Sequence, residues 1–290
     1  MIGRLPHVAL NTRQKIALAR LASSGLRLCR RVVGLGDVAE VERDGVRWRL
    51  DLTEGIDLAI YLFGHFEPTT VAAYRRLVRP GQTVVDIGAN IGAHTLHLAR
   101  AVGPGGRVLA VEPTAYAFGK LLANLALNPL LAERVLARQA MLGPPGRGLT
   151  EPAIFSSWPL TGSGPSRDPT HRGELKATTG AEATSLDELL EREKIKAVDF
   201  FKMDVDGFEC EVLAGAQRTL ANERPAIVME LAPYALETRG QSLDALVGML
   251  ASHGYRLYRE RDSAKLPESI GRLRALIPTG GSINVIAQAI

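Results

Sequence analysis

The sequence predicts an α/β protein: a doubly wound, mostly parallel seven-stranded sheet, with a helix and a β-hairpin added before it. Three observations carry that expectation. From Thr83 to Glu112 (TVVDIGANIGAHTLHLARAVGPGGRVLAVE) a β-branched run, a glycine-rich turn, a helical segment and a second apolar run follow in order, the pattern of a βαβ unit. Short apolar runs then alternate with helix-period segments to the end of the chain, as strands covered on both faces by helices do. Acids recur where those runs stop, at Asp86, Glu112, Asp204 and Glu230, and in such a sheet ligands lie outside the C-terminal ends of the strands.

Within the βαβ unit, Thr83 to Val85 leads into Asp86, and Gly88-Ala-Asn-Ile-Gly92 follows at once. The next segment has apolar positions at Ala93, Leu96, Ala99 and Val102 and stops at Gly103-Pro-Gly-Gly106; a second strand, Arg107 to Val111, ends in Glu112. The glycines allow tight turns and close approach of backbone to a ligand. Their spacing is not the G-x-G-x-x-G that holds a pyrophosphate. Asp86 would repel a phosphate and suits an amino group, whereas Glu112 is placed for two ribose hydroxyls. Those preferences imply S-adenosylmethionine, which carries a cationic amino group and no phosphate. Three other readings stay open on the same residues. One is a glycine turn in another α/β enzyme, one a nicotinamide-dependent oxidoreductase on a doubly wound fold, and one a scaffold that binds no cofactor.

The 290 residues can bury one substantial core. A hydrophobic share of 46% and a charged share of 23% are ordinary for a globular chain. The balance is mildly basic, with a net charge of +4, but the basic residues are not interleaved with aromatics, so nucleic acid is not an expected partner. Two cysteines, Cys29 and Cys210, make neither a disulfide framework nor a zinc pattern. No apolar run reaches the roughly 18 residues of a spanning helix, and the start lacks the apolar segment of a signal peptide. A cytoplasmic location is therefore expected, with homo-oligomerisation left open.

Taken in order, residues 1–32 hold seven Arg or Lys and no acid. Thr12 to Val32 reads as a basic amphipathic helix, packed on its own domain with arginines toward water or, alternatively, touching a membrane surface or anionic partner. Val38 to Asp51 reads as a hairpin turning at Asp44-Gly45, with Trp48 beneath it. Residues 1–69 are assigned to this cap and 70–290 to the sheet domain. Between the two, His65, Phe66 and Glu67 are bracketed by Gly64 and Pro68 and are placed to form one wall of a cofactor pocket, with Glu67 as a cofactor-binding acid. A helix is expected over Thr69 to Val78 and another over Tyr116 to Leu127. A third strand is expected over Val135 to Leu142, with Gln139 beside the adenine.

Residues 143–183 are rich in Gly, Pro and Ser. A segment of that length inside a compact domain is functional or disordered, and Phe155 and Trp158 give it the apolar groups of a lid. A short surface hairpin followed by a loop is the plainer alternative. Ser185 and Glu188 have capping-box spacing. A fourth strand, Lys196 to Met203, runs into Asp204, Asp206 and Glu209 and a helix from Glu211 to Leu220. A fifth, Ala226 to Met229, ends in Glu230. Gathering like charges at one sheet edge is unfavourable unless something uses them. Helix capping by Asp206 and an acidic first turn at Glu209 would account for part of that cluster. A helix over Ser242 to Ser252 and strands over His253 to Tyr258 and Ser282 to Ala289 complete the sheet.

VVDIGANIG (Val84 to Gly92), AVEP (Ala110 to Pro113), SLDELL (Ser185 to Leu190), FKMDVDGFECEVLAGA (Phe201 to Ala216) and IVMEL (Ile227 to Leu231) resemble, in order and spacing, the FkbM-type S-adenosylmethionine-dependent methyltransferases. The resemblance implies the Rossmann-like class I methyltransferase fold. It assigns cofactor-binding roles to Asp86, Gly88, Asn90, Gly92 and Glu112, and an acidic motif to Lys202, Asp204, Asp206, Gly207 and Glu209, with Asp206 also expected among the cofactor-binding residues. The usual family form has Glu where this chain has Asp206. The family implies O-methylation of a hydroxyl on a sugar or other secondary-metabolite or glycan acceptor. A hydroxyl needs a base or a metal to activate it. Either Asp204, with Asp206 or Glu230, holds a hard divalent cation such as Mg²⁺, or a side chain acts directly, His94 being the best candidate.

Overall fold

The computed structural model describes residues 12–146, 149–161 and 173–290. Seven strands form the main sheet: β1 (Thr83–Ile87), β2 (Arg107–Val111), β3 (Val135–Arg138), β4 (Phe200–Met203), β5 (Ala226–Leu231), β6 (Tyr255–Arg259) and β7 (Ile283–Ala289). Their order is β6-β7-β5-β4-β1-β2-β3. Pairing is parallel from β5 through β4, β1 and β2 to β3, and β7 alone runs against its neighbours β5 and β6. The chain leaves β1 for β2 on one side and reaches β4 on the other, so the sheet's switch point lies between β1 and β4, where such folds open a ligand crevice.

The two-residue period of the strands builds two cores. Val85, Leu109, Phe201, Ile227 and Val285 pack on one face; Val84, Val108, Phe200, Val228 and Ile286 pack on the other. Burial on both faces explains why these strands read as continuous apolar runs. The hairpin Val38–Arg43/Val46–Asp51 turns at Asp44 and Gly45. Its fully buried Trp48 and Leu50 share a third core with Ile91, Leu96 and Leu121 of the sheet domain. Asn124 and Asn128 fasten it, their side-chain oxygens accepting from the Arg49 and Arg47 amides at 2.8 and 2.9 Å. The capping box at Ser185 and Glu188 is formed.

Several elements differ from the sequence expectation. The third strand is interrupted: Gln139 leaves the sheet, and Ala140–Leu142 pairs instead with Glu182–Thr184. The fourth begins only at Phe200, because Asp199 turns its carboxylate to the Thr83 amide (2.8 Å). The fifth runs through Glu230, opposite Asn284. The helix expected over Glu211 to Leu220 is two, Glu209–Ala214 and Gln217–Asn222. They part at Gly215, where a Cβ would meet the Gly143 carbonyl at 2.1 Å. Before His65 the chain forms a helix not assigned from the sequence, Gly55–Phe63, stopped by Gly64 in the left-handed region.

The basic helix α1 (Thr12–Val32) forms as expected, but with its faces exchanged. Arg27 is held at 2.6 Å by Asp37, whereas Leu21, Leu28 and Val32 are exposed. Within 143–183, Ala153–Ser157 and Glu174–Ala177 form an antiparallel pair; residues 147–148 and 162–172 of the expected lid lie outside the described residues. The strap that follows Ser157 is tied to the cap: the Gly55 amide donates to the Trp158 carbonyl (3.0 Å) and the Leu160 amide to the Thr53 carbonyl (2.7 Å).

Under that junction Glu54 is only 8% exposed, accepting from the Tyr116 hydroxyl at 3.2 Å. Burial pushes its carboxyl up to about 7, against the pull of Lys120 and Lys176 and with the push of Asp57. A carboxyl raised on folding contributes stability that is full below its unfolded pKa and lost as pH rises through about 7. Glu54→Gln should therefore leave the melting temperature near wild type at about pH 5 and raise it at about pH 8, by the equivalent of roughly 1–3 kcal/mol. Melts at the two pH values check this; equal shifts at both would contradict the burial argument.

Candidate active site

A cavity of about 540 Å³ opens at the C-terminal ends of β1, β2 and β4, within the range of small-molecule sites. Its floor is the turn after β1. Gly88 has φ 78°, and its amide donates to the Val111 carbonyl at 3.0 Å. A Cβ at Gly88 would lie 1.9 Å from the Asp204 carbonyl oxygen. No other residue lets β1 and β4 diverge so close together. Asn90, with φ 49°, turns the chain so that its amide reaches Glu112 Oε2 at 3.0 Å.

Glu112 follows β2 and lines the cavity. Its Oε1 accepts from the Thr114 amide (3.0 Å) and hydroxyl (2.6 Å). Burial raises its carboxyl, and these hydrogen bonds together with Lys202 oppose the rise. A carboxylate has about four acceptor positions; Oε1 also takes a long contact from Ser156 Oγ at 3.5 Å, so what remains for a ligand hydroxyl is the second position on Oε2, beside the Asn90 amide. The strap closes over this corner: the Asn90 side-chain amide donates to the Ser156 carbonyl (3.0 Å), and Ser156 Oγ lies 3.0 Å from Thr114 Oγ1. Phe155 and Trp158 line the same cavity.

The opposite wall carries Glu67 and His94. Glu67 sits at φ 48° before the helix Pro68–Leu77, with Oε2 3.6 Å from His94 Nε2. Burial alone would raise the Glu67 carboxyl, but His94, Lys202 and Asn284 outweigh it and hold it at about 2. The His94 ring lies edge-on to Tyr74 at 6.0 Å, and neither of its nitrogens has a hydrogen-bond partner.

Between these walls stand Asp204, Asp206 and Glu230, with one carboxylate oxygen of each within 4.8 Å of the others. Among the described residues this is the sole group so arranged. Burial and then the Asp204 charge push both Asp206 and Glu230 well above the carboxylate range, and Ser282 donates its hydroxyl to Glu230. None of the three caps the next helix, whose N-cap Phe208 offers no side-chain bond; Glu209 does lie in its first turn. Lys202 is buried beneath them, its Nζ 3.4 Å from Asp204 Oδ2 and 3.9 Å from Asp86 Oδ1. Burial would lower its ammonium, but Asp204, Asp86 and Glu67 outweigh that and raise it.

Three expected cofactor residues do not reach the cavity wall. Asp86 is fully buried behind it, accepting from Thr95 Oγ1 at 2.6 Å. The side chain therefore faces Thr95 and Lys202, and Glu67 and Asp204 are the acids exposed to the cavity near it. Gly92 supports the turn from below, where a Cβ would press on Leu121 at 2.9 Å. Gln139, having left the sheet, donates to the Pro113 and Thr179 carbonyls at 3.2 and 2.9 Å. The motif includes Lys202 but does not show that it is buried beneath the carboxylates, although its two-residue spacing from Asp204 signals a shared strand face. Nor did the sequence place Ser156 or the loop Pro278–Ser282 in the site, for which only glycines at 280 and 281 gave a hint.

This strand order, with its glycine turn after β1 and acid after β2, defines a class I methyltransferase-like α/β fold. A family described as "Methyltransferase FkbM domain" matches residues 86–257, more than half of the chain, and the chain belongs to that family of S-adenosylmethionine-dependent methyltransferases. Over 46 residues it is 48% identical to the ribosomal RNA large subunit methyltransferase E of Sorangium cellulosum (strain So ce56). That match covers 15% of this chain and 22% of the relative, so the chain spans about a fifth of the length of the curated relative it matches. Among solved structures it is similar to a methyltransferase FkbM from Methylobacillus flagellatus KT, at 17% identity and TM-score 0.42, covering 80% of this chain and 59% of that one. It is also similar to an O-methyltransferase from Bacillus cereus in complex with SAH, at 16% identity and TM-score 0.44, covering 80% and 86%.

Proposed function

We propose that this protein transfers a methyl group from S-adenosylmethionine to a hydroxyl of a sugar or other secondary-metabolite or glycan acceptor. The observation that carries the proposal is the meeting of Glu112, the Gly88 turn and the Asp204–Asp206–Glu230 cluster around one cavity. The residues fit the cofactor. Glu112 keeps an acceptor position on Oε2 for a ribose hydroxyl, Glu67 is held charged for a cationic amino group, and the Gly88 turn lets a ligand approach the backbone. When bound, S-adenosylmethionine supplies the electrophilic methyl group.

The protein's task is then to hold an acceptor oxygen in line with that methyl group and to take up its proton. Asp204 orients the acceptor hydroxyl, and Lys202 at 3.4 Å fixes the carboxylate that does so. Trp158 and Phe155 exclude water. The three clustered carboxylates favour a divalent cation over the metal-free scheme: an oxygen-only donor set suits Mg²⁺, which would lower the acceptor's pKa. His94, 3.6 Å from Glu67, is the alternative base.

Two measurements test this. Calorimetry should show S-adenosylmethionine binding and none for NAD; the reverse would favour the oxidoreductase reading. Turnover should fall by at least about tenfold on chelation and return with Mg²⁺, the cation binding more tightly as pH rises because it displaces protons held by Asp206 and Glu230. Full turnover in chelator would move proton removal to His94.

A further inference from the structure

Helix α1 turns its apolar side away from the protein. Its inner face is made by Ser23, whose hydroxyl donates to the Leu52 carbonyl at 2.7 Å, by Leu26 against the cap core, and by Arg27 paired with Asp37. On the opposite side Leu18, Leu21, Leu28 and Val32 are 52%, 71%, 65% and 79% exposed. Their spacing places them on one stripe of the helix, and Val33 and Leu35 continue the exposed apolar surface past its end. An apolar stripe four leucine and valine side chains long is unfavourable in water unless something covers it.

The net charge of the sequence that carries the stripe selects what covers it. From Met1 to Gly36 the chain has seven Arg or Lys and no Asp or Glu. Arg30 donates to the Gly36 and Val38 carbonyls and, among the described residues, has no carboxylate partner. Exposed Arg31 shares the single acid Asp37 with Arg27. A second copy of the chain on this face would set one acid-free basic helix against another, with no opposite charge to answer either. A surface of anionic headgroups takes both features, the stripe entering the headgroup boundary and the cations meeting phosphates. We infer that α1 docks this protein on an anionic lipid surface, lying in its plane. No helix among the described residues is long and apolar enough to cross a membrane, so the association is peripheral.

Co-sedimentation of the full chain with vesicles tests the inference, comparing pure phosphatidylcholine with an equal mixture of phosphatidylcholine and phosphatidylglycerol. The bound fraction should be roughly tenfold or more higher on the anionic vesicles and should fall as salt is added. Leu21→Glu with Leu28→Glu should abolish it while leaving the melting temperature and cofactor binding unchanged, since neither side chain packs on the body. Absence of binding to anionic vesicles would overturn the inference, as would equal binding by the double variant. So would a stable dimer in sedimentation velocity that the double variant dissociates, because the stripe would then be covered by a second copy.

Discussion

Asp204→Asn is expected to lower kcat by roughly 10²–10⁴-fold while the affinity for S-adenosylmethionine stays within a few-fold of wild type. Asn keeps the size of the side chain and removes its charge, so packing is preserved. The backbone at this position is fixed independently, the Asp204 amide donating to the Ile87 carbonyl at 3.1 Å. The carboxylate itself faces the cavity beside Asp206 and Glu230, and no helix amide depends on it. Ribose recognition is assigned to Glu112 on a different strand end, which is why the two readouts should separate. Turnover measured beside a binding isotherm decides the matter. Near-normal kcat would transfer the acceptor-activating role to His94 or Glu230; joint loss of turnover and affinity would mean that Asp204 holds the cofactor instead.

Gly88→Ala is the second substitution with a large expected effect. Two costs combine there: a positive φ of 78° and a Cβ that would stand 1.9 Å from the Asp204 carbonyl oxygen. Gly81 separates them, because its φ is 87° with nothing within 4 Å of its would-be Cβ. Gly81→Ala should cost about 1–2 kcal/mol, the left-handed penalty alone. Gly88→Ala should cost at least twice as much, since backbone cannot move aside as a flexible side chain does, and cofactor binding should be lost with it. Urea melts of both variants and a calorimetric titration check the prediction. Equal destabilisation would show that the turn needs only conformational freedom and not the close approach of β1 to β4.

Much of the site was legible because its chemistry is local. Asp204 and Glu230 could be placed on one sheet edge from the apolar runs that precede them, and the structure brings them within metal-binding distance of each other and of Asp206. Asp86 could not be placed from its motif alone. Its strand position is as expected, but which way the carboxylate faces depends on Thr95 one helix later and on Lys202 one strand over. Gln139 was misread for a related reason: strand propensity continues through it, while the Glu182–Thr184 segment that draws the chain off the sheet lies more than forty residues away.

By itself the sequence determined the sheet, its two covered faces, the glycine turn, the hairpin and the capping box, and with them the family. Each of these is written in a repeat of two or 3.6 residues, or in side chains that satisfy their own neighbours. Only the tertiary structure decided which acids face the cavity, that Lys202 sits among them, that the strap is tied to the cap, and that α1 carries its leucines outward. The physical reason in the last case is explicit. An amphipathic period fixes that a helix has two faces, but the face turned inward is chosen by its partners, here the Leu52 carbonyl for Ser23 and Asp37 for Arg27, and no period along the chain encodes them.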